Sequence, residues 1–511
     1  MKNHYTIGLI LLLGTLSCFA QKAKQEKATK KWLNNNFLFI EADTFTFNNS
    51  PTERSYFIKM EEDSNLVCNR LLFNDKLTAR QAIKKRERSP GSKSPRFRID
   101  TSLKATEGNF IICKYEVSNY NYRCFTSYVT DSIVREILIK YGYKKYEIPQ
   151  KKTDVFGRNY TLNFSEKIDY KDPEIIDLLI INQHDSGAGE RFYGESKCKI
   201  RTDKILYRYI ENEIEHVINI YPDTLVWIND FYISINEALT KWYFWHPSYD
   251  DYPVVGVSYL QCLAYIKWRN NNFNDEGIKY RLPTENEFEV TLEYSRKPTS
   301  GNTKERDRAY NNDYRNLFKN GFERDEVHLS KKKKEIVVTS KTTYLANIMT
   351  RGSFGNGGSF VNDGFFHTNP IDFFPQTDRK IFNLIGNVSE WTSTKLVYDQ
   401  SLTITEIDSL MLIQEDSLKY YKSGASNEHY NYTVYTIKDN LRLLNKLKED
   451  LILIKQRPNN RVVKGGSWVQ NETYLHPTTR TIFNENQQKS FIGFRLAATI
   501  DDAAFKKYFQ K

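Results

Sequence analysis

The stretch NLIGNVSEW, Asn383 to Trp391, decides how this chain is read, with VKGGSW (Val463 to Trp468) and GFR (Gly493 to Arg495) following it. Three further segments precede it: EVSNYNYRCF (Glu116 to Phe125), PVVGVSYLQCLAYIKWR (Pro253 to Arg269) and RLPTENEFE (Arg281 to Glu289). Each alone is a weak signal, but six in series along one chain are specific.

Between these segments the pattern predicts a mixture of strands and short helices. The alternation FLFIEADTFTF (Phe37 to Phe47) announces a first strand, and FIICKYEV (Phe110 to Val117) a second. Ser118 starts a short helix reaching Phe125. Ser258 with Gln261, and Thr284 with Glu287 after Pro283, are capping boxes that open two further helices. Residues 127–215 and 392–460 read as insertions. The first begins with an apolar helical face through Ile133, Ile137 and Leu138 that stops at Gly142, and is expected to pack on the core only partly. The second closes with Leu441, Leu444, Leu447, Leu451 and Ile454 at helical spacing, an ordinary packing stripe. Residues 301–340, with Lys331 to Lys334, are expected to form an exposed loop.

At 511 residues the chain allows about three domains, or one large domain with long insertions. Hydrophobic residues at 40% and aromatics at 14% suffice for a packed core, and a mean hydropathy of -0.62 excludes a multi-span membrane protein. Residues 1–20 read as an export signal: Lys2, the apolar run Ile7 to Leu13, then small residues around Thr15, Ser17 and Ala20. Two processing routes stay open, cleavage after Ala20 or lipidation of Cys18 behind an imperfect lipobox. Residues 21–36 read as a polar tether, 37–500 as the folded domain and 501–511 as a tail. The remaining cysteines (Cys68, Cys113, Cys124, Cys198, Cys262) are odd in number and irregularly spaced, so they form neither a disulfide framework nor a zinc site. A net charge of +11 favours an anionic partner or surface, although export makes nucleic acid a poor candidate. The basic stretch Lys84 to Arg98 reads as a solvated linker.

The six segments resemble the sulfatase-modifying-factor family of formylglycine-generating enzymes. The resemblance implies an irregular α+β domain related to the C-type lectin fold, here with two long insertions. Active members carry, after GGSW, two cysteines five residues apart that bind copper and activate oxygen. Those positions hold Gln470 and Leu475, and no cysteine follows Cys262. An amide and an isobutyl group can neither bind Cu(I) nor exchange thiols, so no copper and no catalysis are expected. No histidine cluster suggests the family's iron-dependent chemistry either.

The family's calcium ligands do have matches. One set is Asn383, the carbonyls of Gly386 and Val388, and Glu390; the other is Asn347, the carbonyl of Ile348, Asp363 and the carbonyl of Phe365. Such hard oxygen donors on irregular loops suit calcium. The bland alternative makes Asp363-Gly364 a turn and gives Glu390 a neighbouring donor instead of a metal.

A narrower resemblance runs from Ile220 to Tyr259, IYPDTLVWINDFYISINEALTKWYFWHPSYDDYPVVGVSY, toward the K-component lipoproteins of gliding motility and type IX secretion. TTRT (Thr478 to Thr481) and SFIGFR (Ser490 to Arg495) agree with it. The resemblance implies a periplasmic, non-catalytic component anchored by lipid to the outer membrane, self-associating in a ring with the N component. Trp242, Tyr243, Phe244 and Trp245 are candidate contact residues, against core burial as the alternative. Two rival functions remain: a peptide- or glycan-binding module using the former substrate groove near Trp468 and Gln470, and a cysteine-independent enzyme.

Overall fold

The computed structural model describes residues 18–41, 43–48, 57–62, 65–70, 97–100, 102–181, 184–185, 199–231, 236–273, 275–296, 328–329, 336–337, 346–351, 358–359, 363–374, 381–395, 403–422, 428–456, 459–470, 472–475 and 479–510. The first seventeen residues, most of the basic linker and most of residues 301–340 lie outside this set, as do the side chains of Cys18, Cys68, Leu447 and Ile454.

The alternation starting at Phe37 divides into two strands, Phe37–Ile40 and Asp43–Asn48, which join different sheets. Phe37–Ile40 edges a four-stranded antiparallel sheet whose further strands are, in order, Phe110–Cys113, Ala497–Ile500 and Ile278–Arg281. Both ends of the domain therefore meet in one sheet. The second four-stranded sheet runs Thr481–Asn484, Asn460–Lys464, Ser389–Lys395, Ile492–Gly493. Its last pair is parallel, and it carries the NLIGNVSEW and VKGGSW segments side by side, with Glu390 opposite Lys464.

Helices cover these sheets. Both capping boxes form: Ser258 and Gln261 exchange side-chain and backbone bonds at the start of Tyr259–Asn272, and Thr284 and Glu287 do so before Glu285–Arg296. Tyr122, Phe125, Tyr265, Trp268 and Phe494 pack ring on ring in the main core, with Tyr122 and Tyr265 stacked at 5.7 Å. Mixed helix and sheet, with short strands, is the α+β arrangement expected.

Four features differ from expectation. The helix from Ser118 does not stop at Phe125 but runs from Asn119 to Lys140, with Gly142 just beyond at φ +92°. Residues 127–215 enter the main core with Val129, Val134, Leu138, Tyr146, Ile175 and Leu179, more fully than partial packing implied. Residues 21–36, read as a tether, belong to a helix from Cys18 to Asn36; Leu33 is buried, and Arg269 lies 4.7 Å from the Trp32 ring. The 501–511 tail forms a helix, Asp502–Tyr508, capped by Asp501 and stacked through Phe505 on Phe39 at 4.4 Å. Residues 404–456 form two long helices, Ile404–Lys422 and Glu428–Gln456, that pack on each other through buried Leu410, Ile413, Leu444 and Leu451 and a buried Asn440 to Gln414 hydrogen bond of 3.1 Å.

Candidate functional site

The segment that follows strand Asn460–Lys464 is built around two glycines in the left-handed region, Gly465 at φ +93° and Gly466 at φ +70°. A Cβ on Gly466 would sit 2.6 Å from Leu475 Cδ2 and 3.2 Å from the Tyr474 carbonyl oxygen, so only glycine lets the turn Glu472–Leu475 close over it. Leu475 is 1% exposed and belongs to an apolar cluster with Phe288, Leu384 and Ile385. Gln470 is fixed too: its side-chain oxygen accepts from Ser389 Oγ at 3.1 Å and Ser467 Oγ at 3.0 Å, and its carbonyl accepts from Met349 N at 3.1 Å. Both positions have become part of the packing.

Among the described residues the free thiols are Cys113, Cys124 and Cys262, on the first sheet and on two helices. Burial pushes all three thiols above the ordinary range, Cys262 well above, which disfavours the thiolate that thiol chemistry requires.

The loop Asn383 to Glu390 is held from three sides. Asn383, Gly386 and Asn387 have φ of +47°, +78° and +59°. A Cβ on Gly386 would lie 2.5 Å from the Asn347 carbonyl oxygen, which is why this turn needs glycine. The amides of Asn383 and Asn387 donate to the buried Glu116 carboxyl, at 3.1 and 2.8 Å to Oε2. Glu390, 1% exposed, receives both Arg495 Nε at 2.6 Å and Arg495 Nη2 at 2.5 Å. Arg495 also donates to the carbonyls of Phe382, Asn383, Cys113 and Lys114. Burial and the Glu390 charge push the Glu116 carboxyl well above the usual range; burial raises Glu390 while Arg495 opposes it. Calcium takes six to eight oxygens and relies on carboxylate charge, which a guanidinium already paired to the carboxylate neutralises. With both Glu390 oxygens on a guanidinium, this set as arranged does not fit the ion.

The second set differs. Asp363, 9% exposed, accepts Ile348 N–H at 2.9 Å and Phe365 N–H at 3.0 Å. Burial pushes its carboxyl up to about 6, and among the described residues no cationic side chain opposes that shift. Asn347 donates through its amide nitrogen to His367 O at 2.8 Å and Asn369 Oδ1 at 3.0 Å, which leaves the amide oxygen out of those bonds. A buried carboxylate without counter-charge beside an amide oxygen and loop carbonyls fits a hard cation. Asn347, Asp363 and the carbonyls of Ile348 and Phe365 would hold it.

The aromatic tract lies mostly inside. Tyr243 and Phe244 are 2% and 3% exposed, which removes them as contact residues. The Tyr243 hydroxyl donates to Pro253 O at 2.6 Å and its ring meets Trp227 at 4.7 Å, while Phe244 packs on Tyr122 and Tyr221. Trp245 is half-buried and donates to Tyr221 Oη. Trp242 alone of the four is exposed, and Leu225, which the pattern did not single out, is exposed too. Trp468 is 3% exposed, stacked by Trp227 at 6.0 Å and Phe231 at 5.3 Å. The sequence pattern assigns no role to Glu116 and Arg495, although an arginine in an apolar segment and a lone motif carboxylate signal one.

The sequence matches no curated protein. Solved structures similar to the chain include PvdO from Pseudomonas aeruginosa, with 12% identity and a TM-score of 0.31 over 91% of this chain and 94% of that one. CarF has 9% identity and a TM-score of 0.29 over 88% and 100%, and Treponema denticola variable protein 1 has 10% and 0.28 over 91% and 99%. Likenesses this distant bear no weight on function. The family model for the sulfatase-modifying factor enzyme 1-like domain matches residues 101–500, most of the chain. This chain belongs to the sulfatase-modifying-factor family.

Proposed function

We propose that this chain is a non-catalytic member of the family, retained as a structural component of a periplasmic ring of the type IX secretion and gliding machinery at the outer membrane. The carrying observation is the fate of the two cysteine positions: Leu475 is a core residue and the Gln470 side-chain oxygen is held by two serine hydroxyls. Neither offers sulfur. The secretion role rests on the resemblance of Ile220 to Tyr259, whose Trp227 and Tyr243 pack in one cluster with Trp468.

The same layer argues against a peptide or glycan in the former groove, because Trp468 is buried beneath Trp227 and Phe231. Contact with the N component and with further copies falls to exposed residues such as Leu225 and Trp242. A structural calcium at Asn347 and Asp363 would tie two loops that carry little regular structure. No described helix is long and apolar enough to cross a membrane; attachment would come from lipid on Cys18.

Native co-purification from envelopes of the host tests the reading. A stoichiometric partner in a large assembly is expected; a monomer without partner in the extracted membrane fraction would refute the ring.

A further inference from the structure

We infer that the Asn383 to Glu390 loop is closed by the Arg495 guanidinium in place of a divalent cation, an internal ion pair standing where the family resemblance implies a metal. The geometry carries this independently of whether calcium occupies the Asp363 set.

A cation site needs a carboxylate turned toward a vacancy lined by oxygen. Here Arg495, itself wholly buried, presents Nε and Nη2 to the two oxygens of Glu390, the bidentate arrangement in which a guanidinium matches a carboxylate best. Its Nη2 also donates to the Asn383 carbonyl at 3.3 Å and the Phe382 carbonyl at 3.0 Å. One side chain thus binds both ends of the loop that calcium would otherwise join. Asn383 turns its amide nitrogen to Glu116 and Pro370 O, both at 3.1 Å, and its oxygen receives Asn369 Nδ2 at 3.4 Å. An ion entering this loop would meet a fixed positive charge and would have to expel a side chain with no solvent to receive it.

The consequence is a difference between two loops that look alike in sequence. Asp363 faces no guanidinium among the described residues; Glu390 does. The first remains open to a metal, whereas the second is independent of metal supply and closes as soon as residues 390 and 495 come together.

Metal analysis and calcium titration of the purified full chain, with D363N and E390Q variants, test this. The expected result is at most one calcium per chain, with its Kd changed less than about twofold by E390Q and raised on the order of a hundredfold by D363N. No calcium on the wild type would end the Asp363 proposal and agree with a metal-free Glu390 loop. Two calcium ions per chain, or one that E390Q removes and D363N leaves, would overturn the inference. As a second measurement, R495M should gain calcium-dependent thermal stabilisation that the R495M/E390Q pair lacks; if R495M does not fold, the wild-type stoichiometry decides.

Discussion

Replacing Leu475 by alanine asks whether this position, a cysteine in active relatives by resemblance, has been absorbed into the core. The side chain is 1% exposed, so the change removes three buried carbons, about 2.4 kcal/mol at ~0.8 kcal/mol per carbon. A cavity contribution adds to this, because the neighbours cannot collapse. Gly466 is fixed at φ +70° against Leu475 Cδ2, and Phe288 and Leu384 pack in the same cluster. The total expected is about 3–4 kcal/mol. Leu475→Cys, which keeps a polarisable atom near Cγ, should cost about half as much. Urea unfolding followed by tryptophan fluorescence reads both values from the midpoint at constant slope. A loss below about 0.5 kcal/mol for L475A would refute the reasoning, since it would mean the pocket is loose enough to have remained a reactive site.

Four further outcomes are expected. Metal-free protein should lose stability as pH rises from about 4 to about 6, by roughly 3 kcal/mol, because folded Asp363 holds its proton to about 6 while the unfolded group releases it near 3.8. Chemical denaturation across that window should show the slope flattened in D363N. Arg495→Met should cost about 3–5 kcal/mol by leaving Glu390 buried and unpaired, while the R495M/E390Q pair recovers part of it in a double-mutant cycle. Gly386→Ala should cost at least about 2 kcal/mol in thermal melts, since its methyl would lie 2.5 Å from the Asn347 carbonyl oxygen at φ +78°. Leu225→Ser with Trp242→Ser should leave the protein folded, at a cost of about 1–3 kcal/mol because the Trp242 ring is partly covered and meets His246 at 5.6 Å, yet reduce co-purification of partners.

What the sequence made legible was local. The capping boxes at Ser258 and Thr284 form as read, because all their partners lie within three residues. The helix runs past Phe125 because Tyr122, Phe125 and Val129 continue one buried face, with Phe125 against Tyr265 and Trp268, packing that no residue within the helix announces. The polar stretch before Phe37 reads as a tether, yet Trp32 and Leu33 dock its helix on the core and Asn34 donates to the Tyr508 carbonyl at 2.9 Å.

Long-range pairing was the hidden part. Arg495 and Glu390 stand 105 residues apart, and Asn387 and Glu116 271 apart, so no spacing rule joins them. The aromatic run showed the same limit: a turn after the helix Glu237–Trp242 sends Tyr243 and Phe244 inward and leaves Trp242 outside, a distinction that composition does not carry.

By the proposed function, this family member has exchanged thiol chemistry for a scaffold. Incubating the purified protein with a cysteine-bearing sulfatase peptide, Cu(I) and oxygen, and weighing the peptide by mass spectrometry, tests it most directly. Unchanged cysteine is the predicted result; conversion to formylglycine above a protein-free control would contradict the account.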